Sequence, residues 1–265
     1  MSDVPGAETF RVAADAYDRH IGRYGSAVAA GLIEAAGLRA GESALDVGCG
    51  PGALTAALAE LLGADRVAAV DPSEPFVRAC ASRVEGVRVE VAAAEALPFG
   101  DGSFDAALSQ LVVNFMTEAP AGVAEMRRVT RPGGVVAAAV WDYAEGMTLL
   151  RRFWDAAVAL DPAAASLDEG LSMPYCRPDD LERLWHRAGL QAVETLKLIV
   201  EAAYRGFDDL WDPLESGVGP SGAYAAGLQP EPRARVREEL RRRLDPGDGP
   251  FRLTARAWCV VGRVP

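Results

Sequence analysis

At 265 residues, half of them hydrophobic and a quarter charged, the chain is long enough to bury a sizeable core and too apolar to remain disordered. A formal net charge of −11 at pH 7 opposes binding to a phosphate backbone, so nucleic acid is not an expected partner. Two histidines, His20 and His186, offer no zinc-type ligand set, and the four cysteines form no CxxC pair, which fits a reduced, cytoplasmic setting. No apolar run reaches the ~18 to 20 residues that a membrane-spanning helix needs, so membrane insertion is not expected.

Along the chain, residues 2–37 carry Phe10, Ala14, Tyr17, Ile21 and Tyr24 at helical spacing, which predicts one or two helices. From Ser43 onward short apolar runs alternate with helix-like segments, the pattern of βαβ units around a mostly parallel sheet. Strands are predicted at Ser43–Gly48, Arg66–Asp71, Val87–Ala92, Phe104–Gln110 and Gly134–Trp141, with two more at Val193–Tyr204 and Thr254–Arg263. Helices are predicted at Gly52–Leu62, Ser73–Arg83, Ala119–Thr130 and Arg177–Ala188. Ser73 is placed to cap its helix, Pro178 with Asp179 and Asp180 suits a first helical turn, and Arg131-Pro132-Gly133-Gly134 reads as a stop before a strand. Residues 206–249 are rich in Gly, Pro and Asp and hold EPRARVREELRRRL, predicted as a helix with a solvated arginine face. No internal repeat appears, and an oligomer is possible but not indicated.

The stretch ALDVGCGPGALTA, residues 44–56, places three glycines within five positions between a strand and a helix. That arrangement leaves free backbone N–H groups at a helix N-terminus beside a loop without side chains. Asp71 closes the next strand about 20 residues on, where a carboxylate can accept both hydroxyls of a ribose. Asp46 adds a carboxylate inside the first strand. Where a dinucleotide loop has its third glycine this chain has Ala53, and Asp46 would repel a pyrophosphate but attract an ammonium group. The pattern favours a cationic nucleoside. An NAD(P)-dependent oxidoreductase and a non-catalytic cofactor-binding or scaffolding protein remain as alternatives.

The motifs LDVGCGPG, VDPS with Asp71, AEALPFGDGSFD (Ala94 to Asp105) and RVTRPGG (Arg128 to Gly134) resemble the class I S-adenosylmethionine-dependent methyltransferases. Within these the branch around ubiquinone and menaquinone biosynthesis is the nearest in pattern, and the resemblance covers about Phe10 to Trp141. It implies a Rossmann-like, doubly wound seven-stranded sheet, mostly parallel with an antiparallel last strand, plus helical additions covering the site. It further implies one domain over 1–265, with covering helices at 1–37, a cofactor-binding core at 38–142, and the remaining sheet at 143–265 carrying a substrate-covering insertion around 206–249.

The implied cofactor is S-adenosyl-L-methionine and the implied partner a small-molecule methyl acceptor. By the same resemblance the methionine amino group binds near Asp46 and the loop carbonyls, and Gly48 and Gly50 let the cofactor lie against backbone. Asp71 takes the ribose, Ala94, Glu95 and Leu97 flank the adenine, and Cys49, Pro72 and Gln110 complete the cofactor set. Ser109 to Phe115 faces the sulfonium and the acceptor. The family's usual Asp before the Ala-Glu pair is Ala93 here, so adenine recognition leans on backbone and Glu95.

Methyl transfer from a sulfonium is an in-line displacement in which alignment and exclusion of water can supply much of the rate. His20 is a candidate base and Asn114 a candidate to orient the acceptor; a helix histidine and a turn asparagine are the plainer readings of each. Tyr17, Arg23 and Tyr24 either close over the methionine carboxylate or pack the N-terminal helix. Aromatics after the core motifs, among them Phe153, Trp154 and Tyr224, are core residues or in part the lining of an apolar acceptor pocket.

Overall fold

The computed structural model describes residues 19–217 and 219–265, so Tyr17 and the start of the predicted N-terminal helices lie outside the described residues. The strands are β1 (Ala44–Val47), β2 (Val67–Asp71), β3 (Arg88–Val91), β4 (Phe104–Gln110), β5 (Thr130–Trp141), β6 (Gln191–Tyr204) and β7 (Phe251–Arg263). They form one seven-stranded sheet in the order β3-β2-β1-β4-β5-β7-β6. The pairs β1–β2, β1–β4, β2–β3 and β4–β5 are parallel. The direction reverses at β7: Gly133 donates to Val264 O and Asp142 donates to Arg256 O, which sets β7 against β5. This is the doubly wound sheet with an antiparallel last strand that the family resemblance implies.

The order turns back at β1, with β2 on one side and β4 on the other, so the crevice of the topological switch point opens beyond the carboxyl ends of β1 and β4. β1 and β2 are buried at every position. A parallel strand covered on both faces reads as an unbroken apolar run, as ALDV and VAAVD do apart from their aspartates. Those two aspartates are the exceptions that the burial of a carboxyl has to explain.

The helices are α1 (Gly25–Ala36), α2 (Ala53–Leu62), α3 (Glu74–Arg83), α4 (Ala119–Val129), α5 (Thr148–Leu160), α6 (Glu169–Ser172), α7 (Pro178–Arg187), α8 (Phe207–Glu215), α9 (Gly219–Gly227) and α10 (Pro230–Leu244). Two motifs far apart in sequence meet through Arg128 of α4. Its guanidinium donates to Phe99 O at 2.8 Å, Leu97 O at 3.2 Å, Asp101 Oδ1 at 2.8 Å and both oxygens of Glu125. The arginine of RVTRPGG thereby fixes the loop formed by ALPFGDGS.

Three expectations change. Arg131 to Gly134 do not stop the chain before β5; the strand runs from Thr130, and the ladder jumps from Phe104↔Thr130 to Ala106↔Val135, so these residues form a bulge in which Pro132 needs no ladder donor. Ser73 occupies the N-cap of α3 without a side-chain cap, and its backbone N–H is used instead by Asp71. Residues 206–249 hold α8 and α9 as well as the arginine-rich α10. In α10 only Val236 and Leu240 are buried, and its arginines pair with Asp208, Glu239 and Asp248.

The chain groups into two compact units. The first comprises Met1–Tyr24, Trp141–Pro174 and Ile199–Arg256, and the second Gly25–Val140, Tyr175–Leu198 and Ala257–Pro265. In the second unit Leu45, Val47, Val70, Leu108 and Val136 are buried, and Trp185 of α7 donates its indole N–H to Val136 O at 3.0 Å. In the first, α5 turns Leu149, Leu150, Phe153, Trp154, Ala156 and Ala157 inward. No helix among the described residues is long and apolar enough to cross a membrane.

Candidate functional site

The glycine loop leaves β1 at Gly48, where the N–H groups of Gly48 and Cys49 both donate to Val70 O, at 2.8 and 2.9 Å. The chain turns there with φ of +79° at Gly48 and +51° at Gly50, a region open to glycine at little cost. The two glycines serve different ends. A Cβ on Gly48 would lie 2.6 Å from both Val112 methyls, whereas a Cβ on Gly50 would meet nothing within 4 Å. Gly48 is therefore required for packing against the turn after β4, while Gly50 presents bare backbone to open space.

Asp71, at the carboxyl end of β2, accepts from the N–H of Gly50 at 2.9 Å and from the N–H of Ser73 at 2.8 Å, one on each carboxylate oxygen. Burial raises its pKa and the two backbone bonds oppose that rise. An ionised carboxylate has about four lone-pair sites, so two acceptor positions are left for a ligand.

Asp46 is fully buried. Its Oδ2 accepts from Thr55 Oγ1 at 2.6 Å, and its Oδ1 has no protein partner. Burial pushes this carboxyl up to about 8, against the pull of the Thr55 bond, with Cys80 and Asp71 adding to the rise. Thr55 in turn accepts from Cys80 Sγ at 3.4 Å, and the Cys80 thiol is drawn down to about 7, chiefly by its hydrogen bond with Cys49. The sequence reading missed Thr55. Its signal was a lone hydroxyl in the first turn of the ALTAALAELL helix, whose other polar side chain, Glu60, lies toward the far end.

Ala94 is buried with its Cβ toward α4, since a Cβ on Gly122 would approach it to 3.3 Å. Glu95 Oε1 accepts from the N–H of Glu118 at 3.0 Å, at the start of α4. Pro72 is exposed. After β4 the backbone takes a strained turn: Leu111 sits at φ +62° with its N–H on Ala139 O at 2.7 Å, a conformation that costs an ordinary residue on the order of 1 kcal/mol or more. That turn presses Val112 onto Gly48 and draws Asn114 inside, where it is 1% exposed. Gln110 Nε2 donates to Gly25 O at 3.1 Å. Ser109 Oγ, Gln110 Oε1 and both amide atoms of Asn114 are buried without a protein partner. Such orphaned groups cost roughly 1–3 kcal/mol each, which a ligand that bonds them would offset.

His20 and Arg23 belong to the first unit. His20 is buried with Nδ1 unpartnered, and burial with the nearby Arg23 charge lowers its pKa to about 4, so the ring is neutral near pH 7. Arg23 donates to Arg19 O, to Ala203 O at 3.1 Å, and to Asp209 at Oδ2 and O, while its guanidinium lies 4.2 Å from the Tyr204 ring centroid. All its N–H groups are engaged, so a ligand carboxylate would have to displace one of these partners. Tyr24 is fully buried, with its hydroxyl 3.1 Å from that of Tyr204 and its ring edge-on to Trp141.

Residues 45–138 match a family model described as a methyltransferase domain. The chain is 34% identical to a ubiquinone/menaquinone biosynthesis C-methyltransferase of Cupriavidus taiwanensis, over 63% of this chain and 74% of that one. It is 30% identical to a demethylmenaquinone methyltransferase of Roseiflexus castenholzii, over 59% of this chain and 70% of that one. Of the first curated relatives it matches, the chain spans 34% to 51% of the length. Among solved structures, phosphoethanolamine N-methyltransferase 2 of Haemonchus contortus in complex with S-adenosyl-L-methionine has the same fold. That protein is 16% identical with a TM-score of 0.55, over 89% of this chain and 52% of that one. The chain belongs to the class I S-adenosylmethionine-dependent methyltransferases and resembles their ubiquinone/menaquinone branch.

Proposed function

We propose that this protein transfers the methyl group of S-adenosylmethionine to a small-molecule acceptor. The observation that carries the reading is Asp71, held by Gly50 and Ser73 with acceptor positions to spare, beside bare backbone at the switch point of the sheet. The cofactor supplies a methyl group on a positively charged sulfur. What the chain supplies is placement. Asp71 accepts the ribose hydroxyls, Gly50 with Gly48 and Cys49 lets the nucleoside approach the backbone, and Pro72, Ala94 and Glu95 flank the base.

Asp46 meets the methionine ammonium with the oxygen that has no protein partner. Gln110 borders the methionine moiety. Asn114 orients the acceptor with an amide that can donate and accept at once. His20 is the candidate to take a proton from the acceptor, a role that burial and the Arg23 charge oppose by holding the ring neutral near pH 7. The charge of −11 turns the preference away from nucleic acid, and the free cysteines suit the reducing cytoplasm.

The test is thermal melting of the purified chain with S-adenosylhomocysteine or with NAD, since a ligand that binds only the native state raises the melting temperature. S-adenosylhomocysteine raises it and NAD does not. Stabilisation by NAD alone would overturn the reading.

A further inference from the structure

One side chain beneath the glycine loop has a role that packing does not explain. Thr55, in the first turn of α2, is fully buried, and its hydroxyl reaches across to β1, where it meets Asp46 Oδ2 at 2.6 Å. A helix threonine ordinarily turns its hydroxyl back onto its own helix. Cys80 of α3 donates to the same hydroxyl at 3.4 Å, and Cys49 of the glycine loop hydrogen-bonds Cys80 in turn. A hydroxyl has one proton to give. With Cys80 donating to it, the Thr55 proton is directed to Asp46 Oδ2.

That direction decides which oxygen of Asp46 is left for a ligand. Oδ2 is occupied, and Oδ1 is buried without a protein partner. In the neutral carboxyl the proton falls to Oδ1, because Oδ2 accepts the Thr55 bond best as the carbonyl oxygen. An incoming ammonium displaces that proton to solvent and bonds Oδ1 in its place, as a charge-assisted hydrogen bond.

We infer that Thr55 is a positioning residue for cofactor binding: its hydroxyl holds Asp46 Oδ2, so that Oδ1 is the oxygen presented to the methionine ammonium. The inference rests on the reading that Asp46 meets that ammonium. The titratable groups facing Asp46 are Cys80 of α3, Asp71 of β2 and Cys49 of the loop, and none of them is a cation. Burial first of all, and then Cys80 and Asp71, disfavour the ionised carboxylate; the Thr55 hydroxyl, helped by its backbone N–H, opposes them.

The experiment titrates S-adenosylhomocysteine by calorimetry into the full chain, Thr55→Val and Thr55→Ser between pH 6 and 9. The second probe is 5′-methylthioadenosine, which keeps the nucleoside and lacks the ammonium. Valine keeps the shape and the backbone N–H and removes only the hydroxyl. Without that hydroxyl the carboxyl stays protonated to higher pH, so S-adenosylhomocysteine should bind about tenfold more weakly at pH 7, with the shortfall narrowing toward pH 9. A lesion of packing alone would lower affinity equally at every pH. 5′-Methylthioadenosine should bind the parent and Thr55→Val alike, and Thr55→Ser should restore S-adenosylhomocysteine binding close to the parent's. Adding Thr55→Val to Asp46→Asn should weaken S-adenosylhomocysteine no further, because Thr55 acts through Asp46. Thr55→Ala, which cannot overpack the site, makes the same test if the valine variant does not fold. An unchanged affinity and pH profile in the folded variant, or an equal loss for 5′-methylthioadenosine, overturns the inference and leaves the cofactor reading standing. A parent that binds no S-adenosylhomocysteine overturns both.

Discussion

Replacing Asp46 by Asn exposes how a fully buried carboxyl can serve a cationic ligand. The group's ordinary value of 3.8 rises to about 8 in the fold. A raised carboxyl favours the neutral form, so its contribution to stability is complete below pH ~4 and is lost as pH climbs toward 8. At about 1.4 kcal/mol per unit of displaced titration, the loss from pH 5 to pH 8 comes to about 4 kcal/mol. The Asn variant escapes it, because the amide keeps the Thr55 bond without ever ionising. Its melting temperature should match the parent's more closely at pH 5 and exceed it at pH 8 by roughly 6 °C or more for a chain of this size.

Ligand binding runs the other way. An ammonium group needs the ionised carboxylate, so S-adenosylhomocysteine binding near pH 7 should expel close to one proton and tighten toward tenfold per pH unit between 6 and 8. Calorimetry in buffers of different ionisation enthalpy reads the proton count directly. Asp71, also raised, titrates in the same sense, and the Asn variant isolates the part due to Asp46. A parent protein whose affinity is flat over that pH range, with no proton released, would refute the placement of the ammonium at Asp46.

Four further outcomes are expected. Gly50→Ala should fold, at a cost of about 1–2 kcal/mol for a side chain at positive φ, yet lose at least tenfold in S-adenosylhomocysteine affinity by calorimetry. Gly48→Ala should instead destabilise the fold itself, seen in urea unfolding, because Val112 occupies the direction of its Cβ. Asp71→Ala should weaken S-adenosylhomocysteine by tenfold or more, each lost charged hydrogen bond being worth roughly 1.5–3 kcal/mol. Tyr24→Phe should cost about 1 kcal/mol in stability through the lost Tyr204 contact and leave cofactor affinity unchanged; a large loss of affinity would show that Tyr24 does more than pack.

What the sequence made legible follows from how local each signal is. β1, β2 and β4 are short, buried and bounded by turn residues, and the predicted spans agree with the observed ones to within a residue or so. Asp71 could be placed because the end of a strand and the spacing from a glycine loop are both written locally. The helix α5 was not predicted: TLLRRFWDAAVAL has a buried face, but its Phe153 and Trp154 drew attention as isolated aromatics rather than as parts of one stripe.

The division of labour between Gly48 and Gly50 was also hidden, since it depends on Val112 reaching across from the turn after β4. So was the strain at Leu111, a residue whose composition gives no hint of positive φ. Removing residues 2–25 would take away the buried Tyr24 and the Gly25 O that accepts from Gln110, so such a cut is a lesion of the core.

Methyl transfer itself can be followed by giving the protein S-adenosylmethionine with a deuterated methyl group together with a small-metabolite extract, and reading the products by mass spectrometry beside the same reaction with Asp71→Ala. The account predicts a labelled small molecule formed in step with S-adenosylhomocysteine by the parent and far more slowly by the variant. Labelled product formed equally well by Asp71→Ala, or S-adenosylmethionine left unconsumed by the parent, would contradict it.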